Sequence, residues 1–298
     1  MANYGRPSTF DDIVGQSEVI RRLKINSKGC KISGTVMPHV LIDGPPGLGK
    51  TTLAGAIANE LDVDLVTCNA ASLRSIKSII PYLMGINPRA VLFIDEIHRL
   101  PKLVEEFLYP VMEDFKMSIV VEENTEEIEI PQFTLVGATT SGGSLSQPFY
   151  DRFTIKEHLS FYTEIELAKL AGFAIKAGAL EIDDSDLLEI AKRSKGTPRI
   201  LKARVKWYEN YVLTMGKDNV DTIFETQGID KYGMDVYDRK YLEVLEKNLG
   251  NPLGLKSISS LTGIAIETIE NAIEPYLLRE GYVVRTQKGR ILGKVRRK

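Results

Sequence analysis

In the first half of the chain, apolar residues come in short unbroken runs separated by stretches with helical spacing. The runs at 39–43 (HVLID), 64–68 (DLVTC), 90–95 (AVLFID) and 133–138 (FTLVGA) are too short for helices and do not alternate with polar residues. That is the pattern of strands buried on both faces. Residues 51–62 (TTLAGAIANELD) read as a helix, and a second helix is predicted around Leu103–Phe115. Alternating strands and helices predict an α/β layer built on a mostly parallel sheet. The segment MSIVVEENTEEIEIP then carries two β-rich arms about a polar tip, EENTEE at 122–127, which predicts a hairpin inserted at about 117–130.

From about Thr163 the period changes to that of amphipathic helices, with caps expected at Thr163, at Asp183 or Asp184, and at Thr197. Gly178, Gly196 and Gly216 punctuate these helices. Near Lys231–Val236 a third segment begins. It has three short helical patterns and then GYVVRTQKGRILGK, which alternates about a QKG turn as a small hairpin does. Three helices followed by a basic hairpin is the outline of a winged helix. The expected organisation is therefore an α/β domain over 1–162, a small helical domain over 163–233 and a winged helix over 236–298.

Composition adds limits. The chain has 298 residues, 43% of them hydrophobic and 26% charged, with a net charge of −2. No apolar run approaches the roughly 18 residues of a membrane span. The opening MANYGRPSTF lacks the apolar core of a secretory signal. Cys30 and Cys68 are too few for a disulfide framework or a zinc site, so a cytoplasmic location is expected. Charge is unevenly spread. Arg285, Lys288, Arg290, Lys294, Arg296, Arg297 and Lys298 follow one another without an acid, whereas 122–129 holds five glutamates and no base. A basic tail is either a solvated end or a nucleic-acid contact, and charge alone leaves both open.

The sharpest chemistry lies in GPPGLGKT, Gly44 to Thr51, which fits G-x-x-x-x-G-K-[ST] between a predicted strand and a predicted helix. Glycines there let backbone N–H groups converge on phosphates, and the helix N-terminus adds its dipole. Lys50 is placed to reach the β- and γ-phosphates and Thr51 to hold Mg²⁺. This explains why the buried run AVLFIDEIHR ends on Asp95 and Glu96, since adjacent ionised acids need a positive partner. In such a fold Asp95 faces the metal, partly through water, and Glu96 the attacking water. GATT, 137–140, ends the fourth strand, where Thr140, or failing it Thr139, is placed to sense the γ-phosphate. Arg152 in YDRF is either paired locally or catalytic. Arg199 in GTPRI opens a helix, where a cation opposes the dipole and hints at an anion partner.

Taken in order, RPSTFDDIVGQ (6–16), GPPGLGKTTLA (44–54), FIDEIHRL (93–100), LYPVMEDF (108–115), PQFTLVGATT (131–140), YDRF (150–153), GTPRI (196–200) and EPYLLREGYVVRTQKGR (274–290) resemble the AAA+ family of ring-forming ATPases. Within it they resemble the bacterial motors that drive Holliday-junction branch migration. The resemblance implies roles. Arg6, Ile13 and Val14 would line the adenine pocket, with Gly47, Leu48, Gly49, Lys50, Thr51 and Thr52 on the phosphates. Glu113, Asp114 and Phe115 match positions near the nucleotide, and Arg152 matches the finger offered to a neighbouring subunit's γ-phosphate. Tyr162 and Arg199 match hinge and lid contacts that report nucleotide state. Arg285 and Arg290 match wing contacts to DNA.

The implied cofactors are ATP and Mg²⁺. The implied partners are the duplex arms of four-way junctions, further copies in a hexameric ring, and a RuvA-like junction-binding protein docked on the 117–130 hairpin. Several positions depart from the pattern. Gly5 stands where a leucine usually precedes Arg6, Ser141 where an arginine follows GATT, and Tyr150 and Thr154 where LRDRFG has arginine and glycine. The hairpin tip is also more acidic than the family's apolar one. Two other readings stay open: a clamp-loader-like ATPase that remodels protein on DNA, and a low-turnover, ATP-gated DNA-binding switch.

Overall fold

The computed structural model describes residues 7–121, 124–140, 142–176, 182–248 and 250–293, and the chain separates into two compact units, Met1–Tyr162 and Thr163–Lys298. Arg6 and Ser141 lie outside the described residues, as do Gly178 and the basic positions Lys294, Arg296, Arg297 and Lys298.

The first unit opens with helix α1 (Ser17–Ser33) and then alternates strand and helix: β1 (Val40–Asp43), α2 (Lys50–Leu61), β2 (Leu65–Asn69), α3 (Ile76–Met84), β3 (Val91–Asp95) and α4 (Lys102–Glu113). A hairpin of β4 (Lys116–Val121) and β5 (Asn124–Glu129) follows, then β6 (Thr134–Thr139), the short α5 (Gln147–Asp151) and β7 (Ile155–His158). The five main strands lie in the order β2-β3-β6-β1-β7, all parallel. β3 and β6 are buried along nearly their whole length, as their unbroken apolar runs require, and one cluster joins them to Leu83, Val104, Leu108, Val111 and Phe149.

Helices α1 and α3 are additions to the sequence reading, and three further details differ from it. A fifth strand, β7, completes the edge of the sheet. α4 ends at Glu113, because Phe115 adopts a left-handed backbone with φ 54° and starts the hairpin. The acidic stretch is mostly strand: β5 begins at Asn124, and Glu126, Glu127 and Glu129 stand opposite Ile119, Ser118 and Lys116. Met117, Ile119 and Ile128 on one face of the ribbon pack on the core, whereas Glu127 and Glu129 share the other face with Lys116, which pairs with both.

The second unit comprises α6 (Glu164–Lys176), α7 (Asp184–Lys192), α8 (Pro198–Met215) and α9 (Val220–Glu225), followed by α10 (Val236–Lys247) and α11 (Leu255–Thr262). A continuous rod then runs through α12 (Ile266–Thr268), a π-helical stretch (Ile269–Ile273) and α13 (Glu274–Arg279). It ends in the antiparallel pair β8 (Val283–Thr286) and β9 (Gly289–Leu292). A separate core of Tyr241, Leu242, Leu245, Ile258, Ile269, Leu277 and Val283 holds these last elements together. Gly289 is required by packing: at φ +141° a Cβ would lie 2.4 Å from the Leu253 carbonyl oxygen. Among the described residues no helix is long and apolar enough to cross a membrane.

Candidate functional site

The loop between β1 and α2 is shaped by glycines. Gly44, Gly47 and Gly49 take φ of +148°, +82° and +104°, a run of positive-φ backbone that turns N–H groups inward. At Gly44 a side chain would strike the Leu159 carbonyl oxygen at 2.8 Å, so the start of the loop is pinned against the residue that follows β7. Gly49 caps α2, and Lys50, only 7% exposed, folds back to donate to the carbonyls of Gly44 (2.7 Å) and Pro45 (3.1 Å). Leu48 is buried, and its carbonyl accepts the Tyr162 hydroxyl at 3.3 Å. Thr51 and Thr52 open onto a cleft of about 610 Å³ whose lining includes Ser8, Asn69 and Asp95. Cys68 lines the same cleft; burial pushes its thiol up to about 12, so it is no thiolate at neutral pH.

β3 delivers the acid pair to this place. Asp95 is its last residue, and Glu96 follows in a left-handed conformation (φ 50°) that turns its side chain off the strand line. The Asp95 carboxylate accepts the Glu96 N–H at 3.0 Å. Thr140 donates to Glu96 Oε2 at 3.2 Å. His98 Nδ1 lies 3.0 Å from Thr139 Oγ1 and 3.4 Å from Glu96 Oε2. Both candidate threonines are thus in the same polar cluster, Thr140 directly on the acid and Thr139, fully buried, through His98. The sequence reading assigned His98 no role. Its signal was present in DEIHR, but a histidine three residues past a strand reveals no partner until β6 is placed beside β3.

The N-terminal segment reaches the same end of the sheet. Asn59 of α2 donates to the Ser8 carbonyl at 2.6 Å, and Gln16 bonds Ser160 in both directions, at 2.5 and 3.2 Å. Ile13 and Val14 lie half-buried between these two anchors.

Arg152 lies elsewhere. It donates to the Pro148 carbonyl (2.7 Å), pairs with Glu113 (3.1 Å) and lies over the Tyr109 ring at 4.1 Å, while its buried Nε makes no hydrogen bond. Arg152, Glu113 and Phe115 line a cavity of about 560 Å³ with Met37 and His39. Those two residues precede β1, whereas the phosphate loop follows it, so about 13 Å of strand separates the two places. Glu113, Asp114 and Phe115 therefore do not join their own chain's phosphate loop, and Glu113 joins Arg152. His39 anchors this region: Nδ1 accepts the Leu135 N–H and Nε2 donates to the Met112 carbonyl, both at 2.9 Å, which defines a neutral ring. Burial holds its pKa below the usual histidine value.

In the second unit Arg199 occupies the first turn of α8, exposed. Arg285 and Arg290 face each other across β8 and β9. Neither is a freely dangling cation, because both donate to the buried carboxylate of Glu274. Among the described residues no cluster of three or more His, Cys, Asp or Glu could hold a metal alone. A cation near Thr51 and Asp95 therefore depends on phosphate oxygens, as Mg²⁺ usually does.

A glycine loop closed by Lys50, an acid pair at the end of the neighbouring-but-one strand and a polar group on the strand between them define a P-loop ATPase. Family comparisons narrow this class. Residues 5–159 match the Holliday junction DNA helicase RuvB P-loop domain, and residues 231–295 match the RuvB C-terminal winged helix domain. The chain is 40% identical over 296 residues to the Holliday junction branch migration complex subunit RuvB of Rhodopirellula baltica, covering 96% of this chain and 81% of that one. The solved structure of the Thermotoga maritima RuvB Holliday junction branch migration motor matches with a TM-score of 0.88 at 39% identity, over 98% of this chain and 96% of that chain. An arginine-to-alanine variant of the same protein matches equally well, at 40% identity. The chain belongs to the RuvB family.

Proposed function

We propose that this chain is the motor subunit of a branch-migration complex, a ring, hexameric by its resemblance, that hydrolyses ATP to move the duplex arms of a four-way DNA junction. ATP hydrolysis and the branch-migration role come with RuvB-family membership. The ring, the Mg²⁺ ion, a RuvA-type partner on the β4–β5 hairpin and the roles of individual residues belong to the proposal.

The loop between β1 and α2 suits a magnesium–triphosphate complex. Its positive-φ glycines leave the inward backbone N–H groups unobstructed by side chains, and Lys50 holds its ammonium against loop carbonyls that phosphate oxygens would replace. When bound, Mg²⁺ neutralises charge building up on the transferred phosphoryl group. Thr51 and Asp95 would hold that ion, the latter partly through water. Glu96 would orient the attacking water, and Thr140, already bonded to Glu96, would tie that carboxylate to the end of β6 beside the γ-phosphate. Ile13, Val14 and Tyr162 would bound the nucleotide's base end, and the lid role of Arg199 rests on the resemblance alone.

The observation that carries the ring is the position of Arg152 at the far end of β1 from its own phosphate loop. A finger there serves the site of an adjacent copy, which makes hydrolysis depend on assembly. Purified protein with ATP and a synthetic four-way junction, with and without a RuvA-type protein, tests the function. Glu96→Gln is expected to bind ATP normally and to lose turnover by about 10²- to 10⁴-fold. Unchanged turnover would remove Glu96 from the chemistry.

A further inference from the structure

Glu274 opens α13 and has no exposed surface, yet it is ionised in a protein interior where a lone carboxylate is expensive. Burial alone would raise its pKa; hydrogen bonds from Arg290, Arg285 and Tyr241 outweigh that and hold it below the usual range. Tyr241 donates to Oε1 at 2.8 Å. Arg290 straddles the carboxylate, Nε on Oε1 at 2.8 Å and Nη2 on Oε2 at 3.3 Å. Arg285 places both Nε (3.1 Å) and Nη2 on Oε2. Both guanidinium groups are therefore gripped by the same edge. Neither Nη1 makes a hydrogen bond among the described residues, and the Arg285 side chain is still 52% exposed against 16% for Arg290.

At first sight a carboxylate is misplaced here. It removes one unit from the +2 that two arginines offer a phosphate backbone. We propose that Glu274 is a positioning residue for DNA binding: one buried carboxylate fixes both wing guanidinium groups by their Nε edges and leaves the Nη1 edges as a preset two-point contact for backbone phosphates. The inference rests on the reading that the wing meets DNA. Its physical content is that ordering two long side chains in advance outweighs the lost unit of charge, since immobilising such side chains on binding is costly.

Charge and positioning predict opposite signs, which makes a test direct. Glu274→Gln keeps the shape and raises the local charge by one unit, leaving Glu270, 4.0 Å from Arg290, in place. If charge governs, this variant binds duplex and four-way junction DNA more tightly, with a steeper dependence on salt. If positioning governs, it binds about five- to tenfold more weakly, with a shallower salt slope. Fluorescence anisotropy of the full-length protein on labelled junctions across a KCl series reads both quantities. The arginine Nε–H resonances report whether the grip itself is lost, and the DNA affinity reports whether that loss matters to binding. With positioning, two slowly exchanging Nε–H signals are expected in the parent and are lost in Glu274→Gln.

Equal or tighter binding by a folded Glu274→Gln overturns the inference. Should that variant not fold, Tyr241→Phe keeps the charge and removes one hydrogen bond to Oε1. It is expected to lose about twofold in affinity and to broaden the Nε–H signals, and unchanged binding with unchanged signals overturns the inference equally. Arg285→Ala separates the two layers. If it leaves DNA affinity intact, the wing is not on DNA and the reading beneath falls. If it weakens binding while Glu274→Gln does not, positioning alone falls.

Discussion

Two disabled variants are expected to repair one another. Glu96→Gln keeps Arg152, and Arg152→Ala keeps Glu96. Glu96 follows β3 beside the phosphate loop, whereas Arg152 is held by Glu113 and Pro148 beyond the start of β1. If the finger acts on the adjacent copy, each pure variant lacks one component at every site, and losing the finger alone costs about 10³- to 10⁵-fold. In an equimolar mixture a site is complete when its phosphate loop belongs to Arg152→Ala and its neighbour is Glu96→Gln. Random assembly meets each condition half of the time, so about one site in four is competent. Phosphate release at constant total protein, with junction DNA present, should rise from near zero at either pure variant to a maximum at equal mixing, about a quarter of the parent rate. If Arg152 served its own chain, no mixture would contain a complete site. A mixture as inactive as its components, under conditions where subunit exchange is demonstrated, would refute the trans assignment.

Two further outcomes follow from buried groups. His39 is neutral and doubly bonded in the folded chain, with its pKa held down by burial, whereas an unfolded histidine titrates near about 6.5. As pH falls below about 6.5 the unfolded state takes up a proton that the folded state refuses, so stability should decline by up to about 1.4 kcal/mol per pH unit. Urea midpoints from pH 8 to 5 should fall more steeply for the parent than for His39→Gln, and equal slopes would refute the assignment. The second concerns the buried Lys195–Asp238 pair, whose carboxylate is fully enclosed. Lys195→Met should cost about 3–5 kcal/mol by stranding that charge, and the double variant Lys195→Met/Asp238→Leu should recover most of it. Thermal melts that place single and double variants together would show that the pair carries no such coupling.

What could be read in advance divides by range. β1, β2, β3 and β6 lie within about a residue of their apolar runs; β1, β3 and β6 are buried on both faces and leave a continuous signature, whereas β2 is an edge strand with no fully buried residue, so its expected burial on both faces does not hold. β7 was missed, since IKEH buries only Glu157 fully, on the Arg22 guanidinium, and an edge strand in polar residues looks like a loop. α3 was missed too, and Pro81 inside it argues against a helix locally. α1 buries only Val19, Leu23 and Ser27, a stripe too narrow to stand out. Within the site, Lys50 and the acid pair were legible because their motifs are local. The contacts of Arg152 with Glu113, of Thr139 with His98, and of both wing arginines with Glu274 join segments distant in sequence, and one sequence carries no register between them.

The second unit bears on how such a motor transmits movement. Its sequence suggests a boundary at 231–236, yet the two sides are tied by directional bonds. Lys195 pairs with Asp238 of α10, its ammonium lies 5.5 Å from the centre of the Tyr276 ring, and its carbonyl accepts Arg279 at 3.3 Å. The Tyr276 hydroxyl donates to the Tyr232 carbonyl at 2.7 Å, and Arg239 donates to the carbonyls of Gly228 and Met234. Gly233 packs so closely on the Arg193 backbone that a Cβ would lie 2.6 Å from its carbonyl oxygen. A joint with that many directional constraints does not act as a loose linker. Lys195 stands four residues before Arg199, so the proposed nucleotide contact and the winged segment share one stiff path.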